Sequence, residues 1–384
     1  MTNTLTGLIP SLYAGLNVVS RELVGFIPAV SRDSTFERAA VNQTVTVPIV
    51  RPATLEDITP AVTPPSSGGQ TVDNLTMTIT KSKASPILWN GEEQRGIDNN
   101  GPGVNTILRD QFAESLRALT NAIEADLAAL HVNASRAYGT AGTTPFASDL
   151  SDPANVRKLL DDNGTPSTGR SLIINTTAGA KVRTLAQLTK ANEAGGTDTL
   201  RSGALLDIHG FQLRESAQVL TSTAGTAASA TTDNAGYAIG ATSLTLASAG
   251  TGTLVAGDVV TFAGDTNKYV VVSGSADVSA GGTLVLQKPG LRVAMSAATK
   301  AITVVAAAAR NMAFSKDALV LAARPPALPA GGDMADDRMM MQDPISGLVF
   351  EVSVYKLYRQ VRYEVAMAWG TAAPNPRHLA LLLG

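Results

Sequence analysis

A stripe of apolar residues between positions 104 and 130 constrains the fold more than any other feature of the sequence. Its members are three or four residues apart, which is the spacing of one face of an α-helix. Gly103 precedes the stripe and Gly139 follows it, so the spacing predicts a helix within residues 103–137, with Asn105 or Thr106 as its N-cap. At about 1.5 Å per residue it would be roughly 45–50 Å long. The stripe consists of Val104, Leu108, Phe112, Leu116, Leu119, Ile123, Leu127 and Leu130.

Two alternating segments before this helix predict a long β-hairpin over residues 41–90. Apolar and polar residues alternate with a period of two in each, as in strands with one buried face. The segment between them, Pro52–Gly69, is rich in proline and glycine and suits an exposed tip. A connection of that length is usually functional or disordered. The apolar positions are Val45, Val47 and Ile49 in the first strand and Leu75, Met77 and Ile79 in the second.

Residues 1–40 are predicted to form an arm that contains a short helix. Its apolar stripe lies between Pro10 and Pro28. A single short helix is marginal in water and needs a surface to pack on. That surface is either its own domain or a neighbouring subunit. The stripe consists of Leu12, Leu16, Val19 and Leu23.

The second half of the chain predicts an α/β region interrupted by a small all-β region. Residues 150–216 suggest helices at 154–163 and 176–191 around a buried strand at 171–175. From residue 221 to 257 the only charged residue is Asp233, and short strands follow at all-β spacing. We interpret residues 217–306 as a β-barrel or sandwich inserted into the α/β region. Its predicted strands are Ser243–Ala247, Asp258–Phe262, Lys268–Val272, Thr283–Gln287 and Ala301–Val305.

The C-terminal part predicts a second hairpin. Period-two alternation runs from Leu348 to Tyr355 and again from Gln360 to Trp369. Residues 325–344 are predicted to be a loop that holds Asp336-Asp337-Arg338 and an apolar patch at Met339–Met341. A final apolar stretch covers 379–383.

Composition excludes several kinds of chemistry. The 384 residues contain no cysteine and three histidines far apart in sequence, which argues against thiol, disulfide and His-based metal sites. The 30 basic and 32 acidic residues give a net charge of −2, whereas chains built mainly to bind nucleic acid are clearly basic. No catalytic motif is present, and no apolar run is long enough to span a bilayer, so we expect neither an enzyme, a cofactor nor a membrane anchor. Charged residues are only 16% of the chain, which suits a subunit that hides its surface against copies of itself.

The polar clusters have ordinary structural interpretations. Gly91-Glu92-Glu93-Gln94-Arg95 is predicted to be a solvated loop with weak ion pairs. His131 and His209 are each interpreted as structural histidines.

The order of predicted elements resembles the major capsid proteins of tailed bacteriophages with the Hong Kong 97-like fold. In particular it is similar to the podovirus coat-protein branch, which carries an inserted β-barrel domain. The resemblance covers nearly the whole chain and depends on the order and spacing of several short segments. These are the long helix after the hairpin and residues 171–175, 202–216, 256–264, 284–289, 311–322 and 366–370 with Pro374.

The resemblance implies an α+β fold with a defined division of the chain. The parts would be an N-terminal arm (1–40), an extended hairpin loop (41–95), a spine helix with the peripheral domain (96–149), an axial domain in two parts (150–216 and 307–340), the inserted β-domain (217–306), and a peripheral-domain hairpin with the C-terminus (341–384).

The resemblance also implies the function. Copies would assemble as pentamers and hexamers into an icosahedral shell around double-stranded DNA, inside the bacterial cytoplasm, and end in the virion. A scaffolding protein, a portal and a decoration protein would be further partners, and DNA would be enclosed without sequence-specific binding. The alternatives are an encapsulin-like nanocompartment shell and a β-rich tail or fibre subunit. Candidate subunit-interface residues are Arg51, Glu56, Asp57, Lys81, Lys83, Glu92, Glu93 and Arg95.

Overall fold

A computed structural model describes residues 25–50, 58, 60, 72–100, 104–189, 205, 207–343 and 346–384. The fold is of the predicted mixed α+β class. The described helices are α1 (Gly91–Asn100), α2 (Val104–Ala129), α3 (Ser151–Asp162), α4 (Thr176–Val182) and α5 (Ala186–Thr189). The predicted arm helix, with its stripe from Leu12 to Leu23, lies outside the described residues.

Nineteen strands lie in the described residues. They are β1 (Ser31–Ser34), β2 (Thr44–Val50), β3 (Val72–Thr78), β4 (Lys81–Asn90), β5 (Arg136–Gly139), β6 (Arg170–Ile174), β7 (Phe211–Glu215), β8 (Thr221–Ser222), β9 (Ser243–Leu246), β10 (Val259–Phe262), β11 (Lys268–Ser273), β12 (Gly282–Leu286), β13 (Ile302–Val304), β14 (Ala308–Ser315), β15 (Val320–Arg324), β16 (Ala335–Gln342), β17 (Val349–Leu357), β18 (Gln360–Ala372) and β19 (Leu379–Leu383).

The first sheet is built around β18. This strand pairs antiparallel with β4 along one edge and with β17 and then β15 along the other; β16 extends the sheet beyond β17, and β1 extends it beyond β15. The predicted hairpin of β17 and β18 is confirmed, with Leu357 opposite Gln360 at its turn. Because side chains alternate along β18, Tyr363, Val365, Met367 and Trp369 share one face, and all of them are buried.

The long helix α2 packs on that apolar face, against β4 and β18. The Phe112 ring meets the Tyr363 ring edge to face at 5.8 Å between centroids. The predicted helix is confirmed, but its C-terminal end lies earlier than expected. It ends at Ala129 after 26 residues, about 39 Å, and a 3-10 turn at Leu130–Asn133 leads to an extended Ala134 and into β5. The backbone leaves the helix there because the next residues pair in the second sheet.

Residues 91–100 form a helix, so the prediction of a solvated loop at Gly91–Arg95 was wrong. Asn90 and Glu93 form a reciprocal capping box: the Glu93 N–H donates to the Asn90 side chain at 2.7 Å, and the Asn90 N–H donates to the Glu93 carboxylate at 3.0 Å. The helix is polar, which is why no apolar stripe revealed it.

The second sheet contains β5, β19, β14, β6 and β7 in that spatial order. The predicted buried strand at 171–175 is confirmed as β6, which pairs with β14 and β7. The helix predicted at 176–191 is broken into α4 and α5 in the described residues. Helices α3 and α4 contribute to a second core with β6, β14 and β19, separate from the core beneath α2.

The region between β8 and β13 has its own hydrophobic core. All five predicted strands of this region are confirmed as β9 to β13, and no end differs from its predicted position by more than one residue. Strand β11 pairs antiparallel with β5, with Lys268 opposite Ala137, so the second sheet continues into this region without a break.

The segment after Gly332 was predicted to be a loop, and this was wrong. Residues 335–342 form β16, which pairs with β17 and includes Asp336-Asp337-Arg338 and Met339–Met341. Apolar and polar residues do not alternate in this segment, so no period in the sequence indicated a strand, and its pairing with β17 defines it. After β18 the chain leaves the first sheet, and the last strand, β19, pairs with β14 and β5 in the second sheet.

We expect that Phe112→Ala destabilises the subunit by about 3–5 kcal/mol, because it empties a buried aromatic site beneath α2. Urea unfolding measures the change. Arg109→Ala, on the exposed side of the same helix, is the control and should change the free energy of unfolding by no more than about 0.5 kcal/mol. Equal effects of the two substitutions would contradict the helix–sheet core.

Candidate assembly surface

Strands β2 and β3 form a two-stranded ribbon that pairs with no third strand of the described chain. Their register places Thr44 opposite Thr78 and Val50 opposite Val72, as expected for the predicted hairpin. Thr44, Thr46, Asn74 and Thr76 are exposed along it. An isolated two-stranded ribbon is marginally stable in water, so a further surface is needed to stabilise its length.

The base of the ribbon is anchored on the first sheet. Met77 and Ile79 are buried in a small core with residues of β15 and β18, and Val45 packs against it. Gly370 of β18 lies beneath Thr78, where a Cβ atom would approach the Thr78 carbonyl oxygen to 2.2 Å. The close approach of the two backbones therefore requires glycine at this position.

Lys81, a predicted interface residue, lies in a contact within the subunit. Its ammonium nitrogen is 2.5 Å from Asp126 Oδ1 on α2, and Trp369 Nε1 donates to Asp126 Oδ2 at 2.8 Å. The contact ties the start of β4 to the helix. Two further hydrogen bonds join β4 to α2 in the same way, Ser85 to Ser115 at 3.0 Å and Trp89 Nε1 to Gln111 Oε1 at 2.8 Å.

The other described candidates lie apart from Lys81. Lys83 is exposed on β4, and Glu92, Glu93 and Arg95 are exposed on α1. Glu93 also caps α1, so it has a structural task of its own. Arg51, Glu56 and Asp57 lie outside the described residues. The described candidates thus do not form one cluster.

A groove of about 710 Å³ lies where α1 meets the β17–β18 turn. Its lining includes Trp89, Glu92 and Lys356. Tyr358 and Leu357 also line the groove; Tyr358, at the turn, is 88% exposed, and Leu357 is exposed as well. The groove therefore combines exposed apolar side chains with charges of both signs.

A charged network on β16 and β17 was not predicted. Glu351 is buried and pairs with Arg38 at 2.6 Å and with Arg338 at 3.1 Å. Arg338 also binds Asp333 at 2.6 Å, and Tyr355 donates to Asp333 at 2.9 Å. In the sequence, the only indication of this network is Glu351, a carboxylate within the alternating residues of β17. The network joins the segment before the ribbon to the far edge of the sheet.

The histidines have structural surroundings, as predicted for His131 and His209. His131 is buried and its Nδ1 lies 3.2 Å from the Ala128 carbonyl oxygen, and burial lowers its pKa. His209 is a turn residue with φ of 51° before β7. His378 Nδ1 is 3.0 Å from Asp317 Oδ2, and this contact lowers the pKa of Asp317 to about 2.

Within the part of the chain that the structure describes, no group of three or more His, Asp or Glu side chains could hold a metal ion. No helix of the described residues is long and apolar enough to cross a membrane.

No protein-family model matches the sequence, and no curated protein matches it. Solved structures do resemble the fold. A capsid structure of the cyanophage P-SCSP1u is 13% identical, with 94% of this chain and 88% of that chain covered and a TM-score of 0.49. The capsid of a native GTA particle is 10% identical, with 94% and 90% covered and a TM-score of 0.47. A virus-like particle from Pyrococcus furiosus is 10% identical, with 97% and 96% covered and a TM-score of 0.42.

Substitutions at Lys81 and Asp126 distinguish an internal contact from an interface. We expect Asp126→Ala to cost about 1–3 kcal/mol, because it leaves the buried Trp369 N–H without its acceptor. Lys81→Met should change stability by less than about 1 kcal/mol, because the Lys81 side chain is partly exposed. Chemical unfolding measures both. If Lys81→Met leaves stability unchanged but prevents association of subunits, Lys81 is an interface residue after all.

Proposed function

We propose that this chain is the major capsid protein of a tailed bacteriophage, with a Hong Kong 97-like fold, and that it assembles into pentamers and hexamers of an icosahedral head. The observation that carries the proposal is the β2–β3 ribbon, which is anchored at its base and has no third strand beside it among the described residues. A chain with such a ribbon is incomplete as a monomer, because a two-stranded ribbon gains stability from a surface outside itself.

The proposed roles follow the two sheets. The ribbon would be the extended loop that lies on a neighbouring subunit, and α2 would be the spine. The first sheet would form the peripheral domain, and β5, β6, β7, β14 and β19 would form the axial domain. The β-rich region between β8 and β13 would be the inserted domain; its separate hydrophobic core supports this assignment.

Assembly would proceed through head-to-tail contacts that close only by symmetry. Each contact can be weak, because many contacts on one subunit act together. The groove beside α1, with Glu92 and Arg95 on the neighbouring helix, is proposed as one such contact, and Lys83 as another. Charges of both signs there favour pairing between copies over binding to a polyanion.

The interior would hold double-stranded DNA without reading its sequence. A net charge of −2 supports this, since strong phosphate binding requires a clear excess of basic residues. Scaffolding, portal and decoration proteins are proposed partners of the assembled shell. The mechanism is assembly without catalysis.

Electron microscopy of the expressed protein tests the proposal directly. We expect closed or partly closed shells, either from the chain alone or after addition of a scaffolding partner. Shells that enclose proteins and never DNA would favour a nanocompartment, and fibres would favour a tail subunit. A monodisperse monomer under all of these conditions would contradict the capsid proposal.

Shortening the ribbon gives a sharper prediction. Replacement of residues 52–69 by a short Gly-Ser turn should leave a folded subunit, because the base at Met77 and Ile79 is kept. Assembly should fall at least tenfold, measured by light scattering and sedimentation. As a control, a scrambled tip of the same length and composition separates the effect of length from that of sequence. Unchanged assembly of the shortened chain would place the neighbour contact elsewhere.

A further inference from the structure

Glu124 is a buried carboxylate in the last two turns of α2. Its side chain faces away from the solvent, and the residue is 1% exposed. Oε1 accepts the Ile27 N–H at 2.7 Å, and Oε2 accepts the Phe26 N–H at 3.1 Å and the Ser216 hydroxyl at 2.9 Å. One side chain therefore joins three parts of the chain: α2, the segment 25–30 before β1, and the end of β7.

No basic side chain pairs with Glu124 in the described residues. The segment 25–30 has no ionisable side chain, and Ser216 is neutral. Two charged groups on the elements around it have partners of their own, Glu215 with Arg183 and Asp126 with Lys81. Arg310 is buried, its guanidinium has no hydrogen-bond partner among the described residues, and Asp258 acts on it only through its charge. Among the described residues the carboxylate is therefore stabilised by hydrogen bonds, and burial raises its pKa.

The segment that covers Glu124 is itself packed into the main core. Phe26 stacks on Phe314 of β14 with ring centroids 6.3 Å apart, and Ile27 and Val30 are fully buried. Water can reach the carboxylate only if this segment opens. An ionised carboxylate gains far more from water than a neutral one, so ionisation favours the open form.

We propose that Glu124 is a protonation-sensitive latch, which holds the segment 25–30 against α2 and the second sheet and loosens when it ionises. In the protonated form Oε1 still accepts the Ile27 N–H. The Oε2 hydroxyl donates to Ser216 Oγ, which already accepts the Gln218 N–H at 3.3 Å. The Oε2 oxygen can still accept the Phe26 N–H, so the closed form keeps both backbone hydrogen bonds, reverses the one with Ser216 and holds no buried charge.

The sign of the pH dependence follows from this arrangement. The pKa of Glu124 is higher in the folded chain than in the unfolded chain. Its contribution to stability is therefore fully present below the unfolded value and is lost as the pH rises through the folded value. The latch is closed most firmly at acid pH.

Hydrogen exchange of the unassembled subunit tests the latch. Protection of the Phe26 and Ile27 amides, corrected for intrinsic exchange rates, should fall by up to tenfold per pH unit as the pH rises through the Glu124 pKa. Glu124→Gln is neutral at every pH and should abolish this dependence, at a lower overall protection, because its amide oxygen can accept from only one of the Phe26 and Ile27 N–H groups. Glu114→Gln, an exposed carboxylate on the same helix, is the matched control and should retain the dependence.

Two further results complete the test. Ser216→Ala removes one hydrogen bond without changing charge, so it should lower protection and keep the pH dependence; this variant also serves if Glu124→Gln fails to fold. Protection that is independent of pH in the natural chain would overturn the latch. An effect of the latch on shells rests on the proposed function: a pH-dependent subunit that never forms shells would contradict the capsid proposal and leave the latch standing.

Discussion

The contact between α2 and the first sheet is the interaction on which the rest of the structure depends. It buries the apolar face of β4 and β18, and the chain crosses between the two sheets beside the end of that helix. Hydrogen bonds join the segments that cross between the sheets. The Ser135 hydroxyl, just after the helix, donates to the Leu379 carbonyl oxygen at 2.7 Å. The β14–β15 turn contacts the β18–β19 connection through Asp317 and His378. The position at which α2 ends therefore fixes how one sheet is joined to the other.

The β-rich region is joined to this frame by continuous strand pairing and polar contacts. Strand β11 pairs with β5, Lys268 donates to the Gly139 carbonyl oxygen, and Arg136 reaches Asn267 at 3.4 Å. Arg310 is 1% exposed and faces Asp258 across the same boundary, and burial lowers the pKa of the arginine. The β-rich region has its own core and is held to the second sheet by strand pairing and by the hydrogen bonds of Lys268 and Arg136.

Elements with a strong apolar period could be predicted from the sequence, and those defined by distant partners could not. The stripe from Val104 to Leu130 predicted α2, but the end at Ala129 depends on pairing with the second sheet. Helix α1 has no apolar stripe and depends on the cap at Asn90, while β16 has no period-two alternation and depends on its pairing with β17. The same limit applies to the site: Lys81 stays a predicted interface residue, and its ion pair with Asp126, 45 positions away, could not be predicted from the sequence.

The free edge of the first sheet and the β2–β3 ribbon differ in how readily another strand could pair with them. Strand β4 is ten residues long and pairs only with β18 among the described strands, yet it includes Pro86, which lacks an N–H and weakens any incoming strand. The described part of the ribbon has Pro48 opposite Asn74, but its length projects from the base with exposed threonines and no cover. Proline weakens pairing at the edge of β4, whereas the β2–β3 ribbon is left free to associate. This difference favours a single mode of association. Such selectivity is what a closed shell requires, because a second mode of equal strength would produce open aggregates.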